Sequence, residues 1–466
     1  MLEHQNNLKV SISLNKNVII EESESGFKVV NNLGNYTIIS YIHTIAIKIF
    51  KHLKLKPLSE QDLSSIFSDN FDEQALWYFY QNSLQNLGVL NFSFYYKDEK
   101  LFTINNKNSQ YSFENNVELN EEQYISLSRF AYLKSIDGYM ELNSPLSSIK
   151  FIIHNPQVLE LMFILTTRSI KVKELLKLFF SKKVIYKILK ELLIHNIIKN
   201  PIEELDTLKL WEFEDLLFHT HSRMGFQQKY FGATFKFAGK ITQLPVYKKD
   251  PNLHYVNLPL KHNDIVTNSF EHVIKTRHSK REHDNNNPIT ILQLSHFLYS
   301  SAKIIKIDTS QKYYISSRPY PNGGACYELE LYIIVNRCNG LESGLYHYNP
   351  LDHQLGKMQV DKMVSNQLLR NVTYTYGSTK LPQILICITA RFGRVSWKYS
   401  SVAYSLCLKH VGILYQTMYL CATNIGIASC AIGVGDAYTF SLMTNTDCFA
   451  EPLIGEFIIG SNNKEN

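Results

Sequence analysis

The chain has 466 residues, of which 45% are hydrophobic and 19% are charged, and 48 basic against 42 acidic residues give it a net charge of +6. This composition excludes a largely disordered chain. A charge of this size over this length does not by itself indicate nucleic-acid binding. A chain this long is expected to form roughly three domains.

The seven cysteines all lie after residue 325, and no two of them have C-x-x-C spacing. The odd number argues against a disulfide framework, and the spacing argues against a zinc site. Free thiols are typical of a reducing compartment, so a cytoplasmic location and no bound metal are predicted. Residues 411–435 carry no charge but contain four glycines and several polar side chains. They predict a buried helix followed by a buried strand, and no membrane span.

A helix–turn–strand pattern occurs twice in the first 200 residues. The first copy closes at Gly88 and the second at Asn196, each at the end of a helical pattern and before a short apolar run. Helices that end in this way are typical of small winged-helix units. The pattern therefore predicts two such units, residues 1–105 and residues 106–205.

Winged-helix units bind either DNA or an extended peptide at a sheet edge. The last helix of the second copy is basic, whereas the corresponding helix of the first copy carries glutamines; the residues concerned are Lys182, Lys183, Lys187, Lys190, Gln81 and Gln85. A solvated helix face explains these lysines well. Peptide recognition without nucleic acid is therefore the favoured interpretation.

The rest of the chain is divided into a connector and a second, larger region. Residues 206–262 predict a linker helix, with an apolar face after residue 210, followed by an extended segment with several Gly and Pro residues. Residues 263–466 predict an α+β domain. Its signals are apolar runs of strand length at 329–336 and 384–389 and a long buried helix at 401–424.

Two segments of this region have the residue types of an anion or ligand site. Arg277, Ser279 and Arg281 offer two guanidinium groups and a hydroxyl, which together can hold a phosphate. The loop Pro321-Asn322-Gly323-Gly324 precedes a strand, and its glycines let the backbone approach a ligand closely. A solvated basic turn and an ordinary tight loop are the alternatives.

Two further segments carry possible chemistry. Lys398 and Tyr399 follow Trp397 in a polar stretch and could act as a base, an acid or a charged hydrogen-bond donor. Ile432 and Gly433 lie among small residues, where backbone N–H groups could reach a planar ring. A surface pair and close helix–strand packing are the alternatives.

In this order, the four segments resemble the FMN-dependent nitroreductase superfamily. The resemblance is closer to its SagB-type thiazole/oxazole dehydrogenases, which include the cyanobactin oxidases. The run 318–348 is similar to the strand–loop–strand of that branch, and 211–223 to the linker helix of its longer members. The paired N-terminal units look like the leader-peptide recognition modules of those members. Asn322 departs from the more usual Ser, and His278 from the Arg found more broadly.

The resemblance implies a homodimer with FMN bound across the subunit interface. It also assigns roles to the residues singled out above: Arg277, Ser279 and Arg281 to the phosphate, Pro321, Asn322, Gly323, Gly324, Ile432 and Gly433 to the flavin ring, and Lys398 and Tyr399 to catalysis. Which member of the catalytic pair is the base stays open.

The implied reaction is the oxidation of azolines (thiazolines or oxazolines) to azoles in a ribosomally made precursor peptide, with O2 reoxidising the flavin. The implied partners are the azoline-containing precursor peptide and a YcaO-type cyclodehydratase. One alternative is an NAD(P)H-dependent nitro- or ene-reductase with fused docking domains. Another is a non-catalytic peptide-binding scaffold of a cyclodehydratase complex.

Overall fold

The structure is a computed structural model of the chain. It describes residues 8–15, 18–23, 26–31, 36–40, 44–67, 71–86, 89–106, 118–200, 206–209, 211–222, 232–260, 268–310, 313–375 and 378–462. The chain forms two compact units, Met1–Phe231 and Gly232–Asn466. Gly88, at which the first predicted repeat closes, lies outside the described residues.

The N-terminal unit mixes helices with short strands. Its described helices are α1 (Thr44–Leu55), α2 (Glu60–Phe67), α3 (Phe71–Asn86), α4 (Pro156–Thr167), α5 (Val172–Leu175), α6 (Lys182–Ile194), α7 (Asp206–Lys209) and α8 (Phe213–Ser222). Its described strands are β1 (Leu8–Leu14), β2 (Val18–Ser23), β3 (Gly26–Asn31), β4 (Tyr36–Ser40), β5 (Leu58–Ser59), β6 (Leu90–Tyr96), β7 (Glu99–Asn106), β8 (Tyr124–Leu127), β9 (Tyr132–Ile136), β10 (Tyr139–Asn143), β11 (Ile149–Ile153), β12 (Ile170–Lys171) and β13 (Ile198–Lys199).

One sheet runs through both predicted winged-helix units. Its strand order is β5-β1-β6-β7-β11-β10-β9, and β7 from the first segment pairs antiparallel with β11 from the second, with Phe102 opposite Ile153. The apolar side chains of both segments share one core. The strand pairing is therefore continuous across the predicted boundary at residue 105. The sequence did not predict this pairing, because an apolar pattern alone does not reveal which strands become neighbours.

Helix α6 illustrates how the sequence divides its faces. Ile185, Ile188 and Leu189 are buried against the sheet, as the helical period requires. On the other side, Lys182 lies 2.6 Å from Glu121 and Lys187 lies 2.6 Å from Glu191. These two lysines of the basic helix are thus paired with carboxylates.

The C-terminal unit is built around a second large sheet. Its helices are α9 (Phe270–Thr276), α10 (Ile291–Ala302), α11 (Lys362–Thr375), α12 (Phe392–Lys398), α13 (Ala403–Asn424) and α14 (Ala437–Thr444), with a short 3-10 helix at Gly323–Ala325. Its strands are β14 (Gly232–Ala233), β15 (His254–Asn257), β16 (Lys306–Asp308), β17 (Ile315–Ser317), β18 (Leu329–Val335), β19 (Gly344–Asn349), β20 (Gln354–Met358), β21 (Ile384–Ala390), β22 (Tyr399–Ser400), β23 (Ile427–Ile432) and β24 (Leu453–Ser461).

This sheet has the order β15-β20-β19-β18-β21-β24-β23, and each of its pairings is antiparallel. Every residue of β18 and β21 is buried, because one apolar cluster containing residues of α10 and α13 covers one face and another containing residues of α11 and α14 covers the other. The continuous apolar runs of the sequence become strands buried on both faces, and the prediction of an α+β unit is confirmed.

The segment after residue 231 belongs to this unit. β14 pairs with β22, and β15 pairs with β20. The buried Arg391 side chain donates hydrogen bonds to the carbonyl oxygens of Pro245 and Val246. The Gly- and Pro-rich composition did not reveal this packing, because carbonyl oxygens of the segment accept hydrogen bonds from side chains elsewhere in the chain.

Three structural observations bear on the predicted compartment and metal content. Over the described ranges, no helix has both the length and the apolarity needed to cross a membrane. The seven cysteines are free thiols. The same ranges contain no group of three His, Cys, Asp or Glu side chains that could hold a metal ion.

Candidate active site

Lys398 and Tyr399 lie where α12 ends and β22 begins. The preceding Trp397 is buried, and its indole Nε1–H donates to the carbonyl oxygen of Ile241 at 2.7 Å. Tyr399 adopts extended backbone angles and so ends the helix. The polar stretch of the sequence is thus a short anchored helix, which fixes the direction in which Lys398 and Tyr399 leave the backbone.

The ammonium group of Lys398 is surrounded by aromatic rings and one carbonyl. Nζ lies 4.9 Å from the ring centre of Tyr313 and 5.7 Å from that of Phe235. It donates a hydrogen bond to the carbonyl oxygen of Gly324 at 3.1 Å. Burial raises the pKa of the neighbouring Tyr399 phenol, so this phenol is a proton donor at neutral pH.

The glycine loop lies directly against this pair. Gly324 has a positive φ of 63°, which glycine adopts without strain. A Cβ atom at Gly324 would meet Tyr399 Oη and would lie 2.7 Å from Lys398 Nζ. The structure thus brings together two of the predicted segments, and it explains why residue 324 has no side chain.

Two buried residues that the sequence analysis did not identify support the same loop. The backbone N–H of Gly323 donates to His410 Nε2 at 2.7 Å, and His410 Nδ1 lies 2.7 Å from Glu328 Oε1. Asn322 Nδ2 donates to the other oxygen of Glu328 at 3.0 Å. A histidine within an apolar helix pattern and a glutamate just before an apolar strand were the available signals.

The predicted phosphate cluster is organised around a different residue of α13. The Ser279 hydroxyl lies 2.9 Å from Tyr419 Oη, and the Arg277 guanidinium lies 5.2 Å from the Tyr419 ring centre. The Tyr419 hydroxyl also accepts the backbone N–H of Ala431, on β23, at 2.7 Å. Arg281 is exposed. Arg277 and Ser279 therefore lie together near β23, with the Arg277 side chain partly open to solvent.

The fourth predicted segment lies at the end of β23. Ile432 is buried, and its carbonyl oxygen accepts from Tyr415 Oη at 3.5 Å. A Cβ atom at Gly433 would meet no other atom within 4 Å. The backbone at Gly433 therefore faces open space, as the approach of a planar ring requires.

A buried carboxyl group lies beneath the same segment. Glu456 on β24 is 1% exposed, and a Cβ atom at Gly435 would lie 3.3 Å from its Cδ. Among the described residues, neither carboxylate oxygen has a partner in hydrogen-bonding geometry. Burial raises the pKa of Glu456 to about 7, and this effect outweighs that of the Asp436 backbone, which lowers the pKa. The sequence analysis did not identify this residue.

The predicted segments divide into two groups on α13. His410 and Tyr419 are nine residues apart, which corresponds to about 14 Å along a helix axis and roughly half a turn around it. The loop at Gly323 and Gly324, with Lys398, contacts the His410 side. Ser279 and Arg277 contact the Tyr419 side. The structure therefore brings Lys398, Tyr399 and the glycine loop together, and keeps the phosphate cluster apart from them.

A cleft of about 1350 Å³ lies elsewhere in the unit. It is lined by residues at the far end of β18, Ile334 and Val335, and by Glu342 and Lys357. The candidate catalytic pair is instead near the residues that precede the start of β18. This cleft is thus separate from the candidate catalytic pair.

Comparisons with known proteins identify the class. Residues 274–455 match the nitroreductase family, and residues 125–228 match the family described as cyanobactin oxidase ThcOx. Residues 274–455 of the C-terminal unit are thus similar to the nitroreductase family, and the predicted class of flavin-dependent oxidoreductase is confirmed. The second match confirms the more specific resemblance to the cyanobactin-oxidase branch.

Individual relatives agree with both matches. The chain is 29% identical over 170 residues to MJ1384 of Methanocaldococcus jannaschii, which is named as a nitroreductase, covering 36% of this chain and 81% of that protein. It is 28% identical over 147 residues to the microcin B17-processing protein McbC of Escherichia coli, covering 30% of this chain and 53% of McbC. The match to the trifolitoxin-processing protein TfxB of Rhizobium leguminosarum is 27% identical and covers 30% of this chain and 38% of TfxB.

Two solved structures are also among the matches. The E. coli microcin synthetase McbBCD complex with truncated pro-MccB17 bound is matched with a TM-score of 0.33 and 19% identity, over 50% of this chain and 89% of that chain. A nitroreductase-type structure from Anabaena variabilis is matched with a TM-score of 0.38 and 18% identity, over 52% of this chain and 45% of that chain.

The residues present fit a flavin mononucleotide. A phosphate requires donors that remain accessible, and Arg277 is half-buried while Arg281 is exposed. A flat ring requires backbone without side chains, and Gly433 faces open space. The chain therefore carries donors for an anion, open backbone for a ring and a pair of ionisable groups, and the anion donors and the ionisable pair lie on different sides of α13.

Proposed function

We propose that this chain is an FMN-dependent oxidase that converts azoline rings of a ribosomally made precursor peptide into azoles. The carrying observation is the contact of Lys398 and Tyr399 with the Gly324 loop, inside the region that matches the nitroreductase family. The partial matches to McbC and TfxB, both named as peptide-processing proteins, support the same substrate class.

The oxidation removes one proton and one hydride from the azoline ring, and the aromatic azole forms. Bound FMN would accept the hydride and pass the two electrons to O2. We assign the removal of the acidic ring proton to Lys398, which must be the neutral amine and not the ammonium when it accepts that proton. Tyr399 keeps its proton because burial raises the pKa of its phenol, so it orients the ring by donating a hydrogen bond.

The active unit in this proposal is a homodimer in which each flavin contacts both chains. The cluster around Tyr419 and the pair Lys398–Tyr399 approach α13 from opposite sides, which supports a site that takes its phosphate donors from one chain and its catalytic pair from the other. Exposed apolar side chains near these groups, Tyr404 and Leu408 on α13 and Phe270 and Ile274 on α9, suit a contact with a second copy.

The N-terminal unit has the role of docking the leader of the precursor peptide. The cyanobactin-oxidase match over residues 125–228 falls within this unit and supports that role. A YcaO-type cyclodehydratase supplies the azolines, since the oxidation needs rings that have already closed. The free thiols of the described cysteines are consistent with a cytoplasmic location for this pathway.

The test uses the full-length chain loaded with FMN and an azoline-containing peptide, with O2 and without NAD(P)H. The expected result is a loss of two hydrogens per ring by mass spectrometry, faster with the leader attached than without it. An oxidation that requires added NAD(P)H, or no oxidation of azolines alongside reduction of nitroaromatic compounds by NAD(P)H, would contradict the proposal.

A further inference from the structure

Glu328 and His410 form a buried pair directly behind the glycine loop. Glu328 is completely buried and His410 is 2% exposed. His410 Nδ1 lies 2.7 Å from Glu328 Oε1, while His410 Nε2 lies 2.7 Å from the backbone nitrogen of Gly323. The imidazole therefore bridges a carboxylate on one side and the loop on the other.

The hydrogen bonds define the tautomer of the ring. The Gly323 N–H can only donate, so His410 Nε2 accepts and carries no proton. The proton is then on Nδ1, which donates to Glu328. This is the neutral imidazole, oriented in one of its two possible tautomers.

Each oxygen of the Glu328 carboxylate also accepts a hydrogen bond. Asn322 Oδ1 accepts the Tyr327 N–H at 3.0 Å, which turns Asn322 Nδ2 towards Glu328 Oε2. Burial alone would raise the pKa of Glu328, but hydrogen bonds from His410 and Asn322 lower it. Glu328 is therefore an ionised acceptor of two donors, and an amide in its place would lose one of them.

The loop connects this pair to the catalytic lysine. Gly323 is held by His410, and the carbonyl oxygen of the next residue, Gly324, accepts the hydrogen bond of Lys398 Nζ at 3.1 Å. A displacement of the Gly323 N–H would move the Gly324 carbonyl with it. Hydrogen bonds thus connect Glu328 to His410, His410 to the loop, and the loop to Lys398.

We propose that Glu328 and His410 are positioning residues of the oxidase: the carboxylate fixes the tautomer of His410, and His410 fixes the loop that sets Lys398 and Tyr399 towards the flavin. The proposal rests on the proposed function, because that function gives Lys398 its catalytic role. The hydrogen bond to Gly323 is a separate claim that can be measured without turnover.

Two substitutions of His410 separate this role from simple burial of a polar residue. The side-chain oxygen in His410→Gln reaches the position of Nε2 and can still accept from Gly323. The shorter side chain in His410→Asn corresponds to Nδ1, so it keeps the Glu328 contact and loses the acceptor for Gly323. His347→Asn is the matched control, because His347 is also 2% exposed and lies 3.0 Å from the buried Glu330 on neighbouring strands.

The first readout is amide hydrogen exchange of peptides that contain Gly323. We expect His410→Asn to exchange there about tenfold faster than the parent chain, as the loss of one hydrogen bond implies, with His410→Gln close to the parent. Glu328→Gln should exchange faster as well, and a long-range ¹H–¹⁵N spectrum should show that its His410 no longer holds the proton on Nδ1. Equal exchange in His410→Asn, His410→Gln and the parent would overturn the proposal, as would the same acceleration in His347→Asn.

The second readout is turnover of an azoline peptide by the FMN-loaded chain. A loop displaced by about 1 Å is expected to lower kcat by about 10²-fold with little change in KM, so His410→Asn should show this loss and His410→Gln should recover most of the rate. Faster exchange in His410→Asn with undiminished kcat would overturn the positioning role. The parent chain could also show the expected exchange pattern and fail to oxidise azolines. That result would contradict the proposed reaction but not the hydrogen bond between His410 and Gly323.

Discussion

The ammonium nitrogen of Lys398 lies 3.1 Å from the carbonyl oxygen of Gly324. The two residues come from segments that are far apart in the sequence, and their contact joins the proposed proton-handling group to the loop proposed to face the flavin.

Removing either member of the catalytic pair should stop the reaction without removing the cofactor. We expect Lys398→Ala and Tyr399→Phe each to lower azoline turnover by about 10²–10⁴-fold, the scale for losing a positioned acid or base, with FMN content unchanged. Lys409→Ala, at an exposed position on α13, is the control and should turn over normally. Near-normal turnover in both variants would remove the pair from the mechanism.

A side chain at Gly324 should be damaging for two separate reasons. Gly324→Ala forces a residue with a Cβ to a φ of 63° and against Lys398 and Tyr399, so both the thermal midpoint and turnover should fall. Gly412→Ala is the matched control, since a Cβ atom there would meet nothing within 4 Å. In the interior of α13 this change should stabilise the chain by about 0.5–1 kcal/mol. Differential scanning calorimetry of both variants decides the point.

The buried Glu456 should make stability fall as the pH rises. Its pKa is raised from 4.5 to about 7 in the folded chain, so the folded state holds this proton more tightly than the unfolded state. The destabilisation is absent below the lower value, grows between the two and is complete above pH 7.

Replacing that carboxyl with an amide should remove the effect. We expect Glu456→Gln to unfold at a higher temperature than the parent at pH 8, with a gain of up to about 3 kcal/mol, and to match it near pH 4. Glu271→Gln, at a side chain that is 77% exposed, should change neither. The same pH dependence in Glu456→Gln and the parent would show that the carboxyl does not titrate in this range.

Loss of a phosphate donor should weaken FMN without unfolding the chain. Charge-assisted hydrogen bonds contribute about 1.5–3 kcal/mol, so Arg281→Ala should bind FMN about 10–100-fold more weakly in a fluorescence titration. Lys275→Ala serves as the control because Lys275 pairs with Glu271 on the surface of α9. An unchanged affinity in Arg281→Ala would exclude this residue from the phosphate site.

Two impaired variants should restore each other's turnover if each site is shared between two chains. A mixture of Arg281→Ala and Lys398→Ala chains, unfolded and refolded together, should contain dimers with one intact site, because one chain supplies the arginine and its partner supplies the lysine. Turnover above that of either variant alone is expected. No recovery, with mixed dimers verified by mass spectrometry, would mean that each site lies within one chain.

The sequence singled out the segments of the candidate site but not their arrangement. Residue types were enough to single out Lys398, Tyr399 and the glycine loop, because each of these has a local signature. Their mutual contact depends on how α12 packs against the residues that precede β18, which no local pattern encodes. His410 and Glu328 were missed for the same reason, because the role of each residue depends on its contact with the other.

The fold shows the same division. The strands β18 and β21 and the helix α13 follow from apolar runs and their lengths, and they were predicted close to their observed positions. The sheet that joins the two halves of the N-terminal unit was not, because pairing between β7 and β11 depends on contacts that are distant in the sequence.

The strand that carries Tyr399 is held by the very first residues of the C-terminal unit. Gly232 and Ala233 pair with Ser400 and Tyr399, and the Phe235 N–H donates to the Lys398 carbonyl oxygen at 3.0 Å. A fragment that starts at residue 263, the boundary suggested by composition, would therefore lose the backbone pairing that holds Lys398 and Tyr399. It would also leave the buried Arg391 side chain without its acceptors, the carbonyl oxygens of Pro245 and Val246. A fragment that starts at or before residue 232 would retain both sets of contacts.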